Sequence, residues 1–170
     1  MSSTAATVRA ELVTAIEGIA HSSLGFDDAD TAVADYPIEF VPAEQIGAYL
    51  MRRVSNMLRA RRWSVHVTES EQMISSGGNG GNIIVDRVYQ CRIAGYYGLG
   101  VDGEGVKTLI AHASKVREAI YAKSSRLNLT VDRFLGVSEL QLSTLGLTDY
   151  SEPVLRGVLI FQYAKGNPDF

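Results

Sequence analysis

The amino-acid sequence predicts an α+β fold, in which a mostly antiparallel, mixed β-sheet is flanked by helices in a single domain. Two observations support this prediction. Apolar residues recur at helical spacing in three segments, and four others have the alternation or the β-branched composition of strands. Along the chain the order is helix, helix, strand, strand, helix, strand, strand, so neighbouring strands are joined as hairpins.

Length, composition and charge agree with one domain of this class. The chain has 170 residues, of which 46% are hydrophobic and 21% charged, as in an average globular protein. The net charge of −3 argues against a generally basic nucleic-acid-binding protein. No apolar run approaches the roughly 20 residues that span a bilayer, and the N-terminus lacks the features of a signal peptide, so we expect a cytoplasmic location.

The first helix is predicted over residues 4–20, where aliphatic residues from Val8 to Ile19 recur at spacings of four, four and three. Residues 21–42 have no helical period and combine aspartates with aromatic and aliphatic residues. We expect them to pack on the domain itself or on a neighbouring subunit. The single domain, residues 1–170, is therefore divided into an N-terminal helix with an acidic, aromatic arm (1–42) and a core (43–165).

A second helix is predicted over residues 43–61, because apolar residues from Ile46 to Leu58 are spaced by four and Pro42 suits a helix start. Basic side chains project from the opposite arc of this helix. They form either a solvated helix face or a positive patch that meets DNA phosphates or an acidic neighbour. This arginine cluster comprises Arg52, Arg53, Arg59, Arg61 and Arg62. Its candidate interface residues are Arg52, Arg53, Arg59 and Arg62.

The acidic part of the arm is the candidate partner of the arginine cluster. Asp27, Asp28 and Asp30 do not follow the calcium-binding pattern of an EF-hand, because Ala32 and Ile38 occupy the positions that need glycine and glutamate. The three aspartates are therefore interpreted as a solvated loop or as one half of a charge-complementary interface.

The two middle strands are predicted at residues 63–69 and 83–97, with a bulge or bend at Gly95 in the second. The low-complexity tract between them, residues 75–82, indicates a flexible hairpin tip. Its central residues are candidates for a docking loop, and they are Gly77, Gly78, Asn79, Gly80 and Gly81.

The third helix is predicted over residues 105–124, with Val106, Leu109 and Ile110 beginning its apolar face. Two further strands are predicted at residues 133–142 and 154–165. Apolar side chains occupy both faces of the last strand, so we expect the sheet to be covered on both sides by helices or by another chain.

A glycine-rich motif, Gly98-Leu-Gly100-Val-Asp-Gly103, follows a strand and opens the third helix, as in a dinucleotide-binding site. Three observations argue against that site. The preceding strand carries charges, Asp102 and Glu104 would lie where phosphates bind, and too little chain follows for a doubly wound sheet. A strand-to-helix turn with an acidic cap is the favoured interpretation.

No catalytic, cofactor-binding or metal-binding constellation is predicted. His21, His66 and His112 lie in different segments without the spacing of a metal-binding motif, and no nucleophile motif is present. The single cysteine, Cys91, excludes an intramolecular disulfide and is interpreted as a small buried apolar residue.

The order of these elements and their pattern of apolar and polar residues resemble those of the tail-terminator, or tail-completion, proteins of long-tailed bacteriophages. The resemblance spans about residues 43–165 and is a match of pattern rather than of motif. It is carried by the segments Arg87–Tyr97, Leu109–Ile120, Val137–Leu142 and Leu155–Tyr163.

The resemblance implies a structural protein that is not an enzyme and has no cofactor. It implies a hexameric ring on the last ring of the tail tube, which ends tail elongation and presents a surface to the head connector. The expected partners are other copies of the chain, the tail-tube protein and the neck proteins, with DNA passing through the lumen. The expected location is the neck region of the virion, after assembly in the host cytoplasm.

Two alternatives remain. One is a different neck, connector or tail-tube component of the same virion. The other, from a different class, is a small ligand-binding or enzyme domain that uses the Gly98–Gly105 turn.

Overall fold

The helices and strands follow the predicted order, with an additional short strand in the first half and one predicted strand divided in two in the second half. The computed structural model describes residues 5–19, 33–54, 57–75, 83–124, 132–146 and 153–166. Within these residues the helices are α1 (Ala5–Glu17), α2 (Ile46–Leu50) and α3 (Glu104–Ser124). The strands are β1 (Met51–Val54), β2 (Met57–Ser75), β3 (Ile83–Gly98), β4 (Asp132–Val137), β5 (Gln141–Leu145) and β6 (Val154–Gly166). Short 3-10 helices cover Ile38–Phe40, Ala43–Gln45 and Val101–Gly103.

The strands form one sheet with the order β1-β2-β3-β6-β4, and β5 also pairs with β6. Each of these strand pairs is antiparallel. The predicted single-domain α+β fold with a mostly antiparallel sheet is therefore confirmed.

β2 and β3 pair without a register shift from Arg61 opposite Tyr97 to Ser75 opposite Ile83, so the ladder contains no bulge at Gly95. The glycine is explained by packing instead. A Cβ at this position would lie 2.8 Å from the ring of Trp63 and 3.0 Å from Leu109, so a side chain there would displace the core.

The predicted strand at residues 133–142 is interrupted rather than continuous. β4 and β5 lie one after the other along the same edge of β6. Ser138 connects them, since its N–H donates to the Ile160 carbonyl at 2.9 Å and its Oγ accepts from the Ile160 N–H at 3.0 Å. The serine side chain thus replaces a backbone acceptor where the ladder breaks.

One face of the sheet, called the helix face, is covered by α1 and α3. Its core contains Leu12 and Ile16 of α1 and Leu109 of α3, packed on Trp63 and Phe161 of the sheet. The helical periodicity predicts these contacts correctly. It fails at one position, because Ile110 is 48% exposed instead of buried.

The other face, called the opposite face, is covered by residues 33–50. Ile38, Tyr49 and Leu50 pack there on Tyr96 and Val158, among other buried residues. The sheet is therefore covered on both sides as predicted, but the cover of the opposite face is a mostly irregular segment of the same chain rather than helices or another chain. The described part of the arm, residues 33–42, packs against its own domain.

The prediction of a helix over residues 43–61 is wrong beyond the start of that range. Only Ile46–Leu50 is α-helical, and the chain then turns into the β1–β2 hairpin. The cause is the ambiguity of the pattern, because a spacing of four satisfies the strand period of two as well as a helical turn. Leu58, which the helix would have buried, is 67% exposed.

Candidate functional site: the arginines of the first hairpin

The arginine cluster does not form one face of a helix, because its residues lie on two strands. Arg52 of β1 is paired with Arg59 of β2. Successive side chains of a strand point to opposite faces, so Arg61 and Arg62 diverge. The Arg61 guanidinium lies 4.8 Å from the centre of the Tyr97 ring on the helix face, and that of Arg62 lies 5.3 Å from the Tyr49 ring on the opposite face.

Arg59 and Arg61 line a cavity of about 180 Å³, called the turn cavity. Residues 58–61 of β2 contribute to one side of it. The glycine-rich turn and the first residues of α3 contribute to the other, including Gly100, Val101 and Glu104. Two features that are far apart in the sequence, the arginine cluster and the glycine motif, therefore meet at one end of the sheet.

The glycines of this turn are explained by backbone geometry. Gly100 and Gly103 have φ angles of 68° and 70°, in the left-handed region that favours glycine. Gly105 donates its N–H to the Leu99 carbonyl at 2.8 Å, and a Cβ there would collide with the carbonyl oxygen of Gly98. Close approach of α3 to the end of β3 thus accounts for the motif without a nucleotide.

A buried hydrogen-bonded chain lies next to Arg61. Trp63 Nε1 donates to the Tyr97 hydroxyl oxygen at 2.9 Å, and that hydroxyl lies 2.7 Å from His112 Nδ1. The Tyr97 O–H donates to Nδ1 when His112 is neutral with its proton on Nε2. Burial, and secondly the positive charge of Arg61, lower the pKa of His112 to about 4. Burial raises the pKa of Tyr97 above that of an exposed tyrosine.

Arg62 lines an open groove of about 330 Å³ on the opposite face, called the segment groove. Asp35, Tyr36 and Tyr49 also contribute to it. The Tyr49 hydroxyl donates to the Tyr36 carbonyl at 2.8 Å, which joins two parts of the segment of residues 33–50. The Arg62 Nε is buried and has no hydrogen-bond partner among the described residues.

Ion pairs attach the same segment to the sheet. Glu39 Oε1 accepts from Arg92 at 3.2 Å and from Arg156 at 3.3 Å. Arg9 of α1 donates from Nε to the Val65 carbonyl at 2.9 Å and from a terminal nitrogen to the Ala34 carbonyl at 2.8 Å. These contacts are structural, since each joins two elements of the domain.

The remaining candidate residues are placed as follows. His66 lies beside Phe40 with ring centres 6.4 Å apart, on the face of the sheet opposite to His112. Cys91 is buried, and burial raises the pKa of its thiol to about 12, in agreement with its interpretation as an apolar core residue. Within the described residues, no three His, Cys, Asp or Glu side chains are grouped as metal ligands would be.

Several predicted interface residues cannot be placed. The side chains of Arg52 and Arg53 lie outside the described part of the structure, although their backbone forms β1. His21 also lies outside the described residues. The same holds for two whole sets, namely Asp27, Asp28 and Asp30 of the arm and Gly77, Gly78, Asn79, Gly80 and Gly81 of the docking loop.

Sequence reasoning did not single out Arg61 and Val101 as neighbours in one cavity. The available signal was the period of two that begins before Trp63, which would have separated Arg61 from Arg62. No local sequence pattern indicates that β2 lies next to the glycine-rich turn, because their proximity depends on the pairing of β2 with β3.

In comparisons with known proteins, no family model matches this sequence, and no curated protein is significantly similar to it. None of the helices in the described ranges is long and apolar enough to cross a membrane.

Proposed function

We propose that this protein is a structural component of a bacteriophage virion that forms a hexameric ring on the end of the tail tube. The ring ends tail elongation and forms part of the joint with the head. The proposal rests on the resemblance of residues 43–165 to tail-terminator proteins and on the distribution of exposed apolar side chains.

The observation that carries the proposal is that both outer layers expose large apolar residues. On the helix face, α3 leaves Ile110 and Tyr121 exposed at 48% and 42%. On the opposite face, residues 33–41 leave Tyr36 and Phe40 exposed at 42% and 69%. In this proposal, these exposed apolar side chains belong to two interaction surfaces that the neighbouring subunits cover. A closed ring needs two different surfaces that complement each other, and these two lie on opposite sides of the sheet.

Charge on the hairpin supports the same arrangement. Arg59 and Arg62 belong to different faces, so each subunit offers basic groups on both sides of the sheet. In the proposed ring, the acidic residues Asp27, Asp28 and Asp30 supply opposite charge to a neighbour, and the loop at residues 77–81 docks on the tail tube. Electrostatic complementarity of this kind sets the register between subunits.

Native mass spectrometry over a concentration series, with and without isolated tail tubes, tests the ring. We expect a species of six 18.5-kDa chains, alone or on the tubes. Phe40→Ser and Tyr121→Ser should each remove this species while the monomer stays folded, because each removes one of the two surfaces.

The matched control is Leu142→Ser. Leu142 is an apolar residue of β5 exposed at 44%, outside both surfaces, so this variant should keep the hexamer. Absence of any hexamer in the presence of tail tubes would refute the ring. Hexamers in both Phe40→Ser and Tyr121→Ser would show that the contacts lie elsewhere.

The position of the protein in the virion distinguishes a tail terminator from other neck, connector or tube components. Gold-labelled antibody against the protein should mark the junction of head and tail in electron micrographs. Label along the whole tail would identify a tube component instead, and label that remains on tailless heads would identify a head-side connector.

A further inference from the structure

The segment groove contains a half-buried cation. The guanidinium of Arg62 packs 5.3 Å from the centre of the Tyr49 ring, and its buried Nε has no hydrogen-bond partner among the described residues. Polar groups that are taken out of water without a partner destabilise a fold. A carboxylate that enters the groove and accepts from this guanidinium therefore gains more than one that meets a fully hydrated cation.

The rest of the groove suits a peptide segment rather than a compact ion. The groove is open and has a volume of about 330 Å³. Tyr36 and Tyr49 form an aromatic wall with ring centres 6.2 Å apart. Asp35 is the one carboxylate among the described lining residues, and it is exposed, so water and salt screen its repulsion of an anion. A segment that combines carboxylates with an aromatic residue fits these surroundings.

The acidic part of the arm is attached on the other side of the sheet. Residues 20–32 connect α1 with Val33, and the two ends of this connection lie together, because the Val33 N–H donates to Glu17 Oε1 at 3.2 Å. Val33 belongs to the core of the helix face, as α1 does, whereas Arg62 packs on the opposite face. A connection of this length can reach roughly 20 Å from its ends, far enough to meet a neighbouring subunit.

We propose that residues 26–30 of one subunit occupy the segment groove of the next subunit, with an aspartate bound to Arg62 and Phe26 against Tyr36. This inference rests on the proposed ring, in which the helix face of each subunit meets the opposite face of its neighbour. That arrangement directs the acidic connection of one subunit toward the groove of the next. Tyr36 belongs both to the groove and to the proposed surface of the opposite face, so the two contacts are continuous.

Two charge-reversed variants, each alone and then mixed, test the contact. The groove variant is Arg62→Glu, and the arm variant combines Asp27→Lys, Asp28→Lys and Asp30→Lys. Native mass spectrometry in the presence of tail tubes should show no hexamer for either variant alone, because like charges meet at every contact. An equimolar mixture should recover hexamers with equal numbers of the two variants. In alternating order, every arm in such a ring faces a groove of opposite charge.

Recovery in the mixture distinguishes a contact between subunits from a contact within one chain. If each arm lay in the groove of its own chain, mixing would leave both kinds of chain with like charges and no hexamer. A single chain with all four substitutions should form hexamers in either case, which shows that the substituted side chains are compatible with the fold. Hexamers of this chain without recovery in the mixture would overturn the exchange between subunits.

Smaller changes test the same contact without charge reversal. Arg62→Gln should raise the concentration needed for half-maximal hexamer formation by about tenfold, as expected for loss of charge-assisted hydrogen bonds. Asp35→Asn should lower that concentration, because it removes a repelling carboxylate. Lys115→Glu is the matched control, since Lys115 is an exposed cation of α3 outside the groove, and it should leave hexamer formation unchanged. Thermal unfolding of each variant establishes that it is folded.

The outcomes separate this inference from the ring itself. Normal hexamers of Arg62→Glu, or equal losses in Arg62→Gln and Lys115→Glu, would overturn the groove contact and leave the ring standing. Absence of wild-type hexamers on tail tubes would refute the ring and this inference together.

Discussion

The two faces of the sheet are stabilised in different ways. On the helix face, regular helices bury aliphatic side chains around a hydrogen-bonded chain of Trp63, Tyr97 and His112. On the opposite face, a mostly irregular segment is attached to the sheet by the half-exposed ion pairs of Glu39 and is braced internally by the hydrogen bond from the Tyr49 hydroxyl to the Tyr36 carbonyl. Both faces bury an apolar core, so they differ in how the outer layer is attached to the sheet, by packed helices on one side and by a segment with half-exposed ion pairs on the other.

The largest expected effect is on the helix face. Trp63 is 2% exposed, and Trp63→Ala leaves a cavity and removes the donor to Tyr97. We expect the free energy of unfolding, measured in urea, to fall by about 3–5 kcal/mol. Phe40→Ala on the opposite face removes an aromatic ring that is 69% exposed and should cost about 1 kcal/mol or less. Equal losses in the two variants would contradict the comparison.

A smaller effect on the free energy of unfolding is expected when the pH is lowered. The pKa of His112 is about 4 in the folded protein and 6.5 in a model peptide, so between these values the unfolded chain binds a proton that the folded chain does not. The free energy of unfolding should therefore fall as the pH falls from 6.5 to 4, by at most about 3 kcal/mol from this group.

Urea unfolding of His112→Gln over this pH range checks the assignment to His112. The variant should lose stability less steeply than the wild type as the pH falls, even if it is less stable at neutral pH. Leu142→Ser, which removes an exposed side chain and no titratable group, is the control, and its pH dependence should follow that of the wild type. Parallel curves for the wild type and His112→Gln would show that His112 is not the group responsible.

The smallest effect is expected at the ion pairs of the opposite face. Glu39→Gln should lower the free energy of unfolding by about 1 kcal/mol or less, because the carboxylate is 40% exposed and its attraction to Arg92 and Arg156 is screened by water. Thermal unfolding at low and high salt measures this, and high salt should remove the difference. A loss as large as that of Trp63→Ala would place Glu39 among the main determinants of the fold.

Sequence patterns predicted an element correctly where the spacing of its apolar residues fits only one type of secondary structure. The third helix could be predicted because Leu109, Ala113, Val116 and Ile120 follow a helical period that a strand does not share, and all four are buried. The second helix could not be predicted correctly, because the spacing of four from Leu50 to Leu58 also suits a strand. The hairpin pairing of Arg52 with Arg59 decided between the two.

The candidate site was predictable only in its parts. Both the arginines and the glycine-rich turn are visible in the sequence, but they are separated by about forty residues of chain. Their meeting depends on the register that sets Arg61 opposite Tyr97, and that register is a property of paired strands rather than of either strand alone.

The sequence by itself determined the fold class, the helix face and the apolar nature of both sides of the sheet, because local periodicity records which side chains avoid water. Tertiary structure alone decided that Arg61 lies with Gly100 and Val101 while Arg62 lies with Tyr49. The physical reason is the alternation of a strand, which sends neighbouring side chains to opposite faces once pairing has fixed the orientation of the sheet.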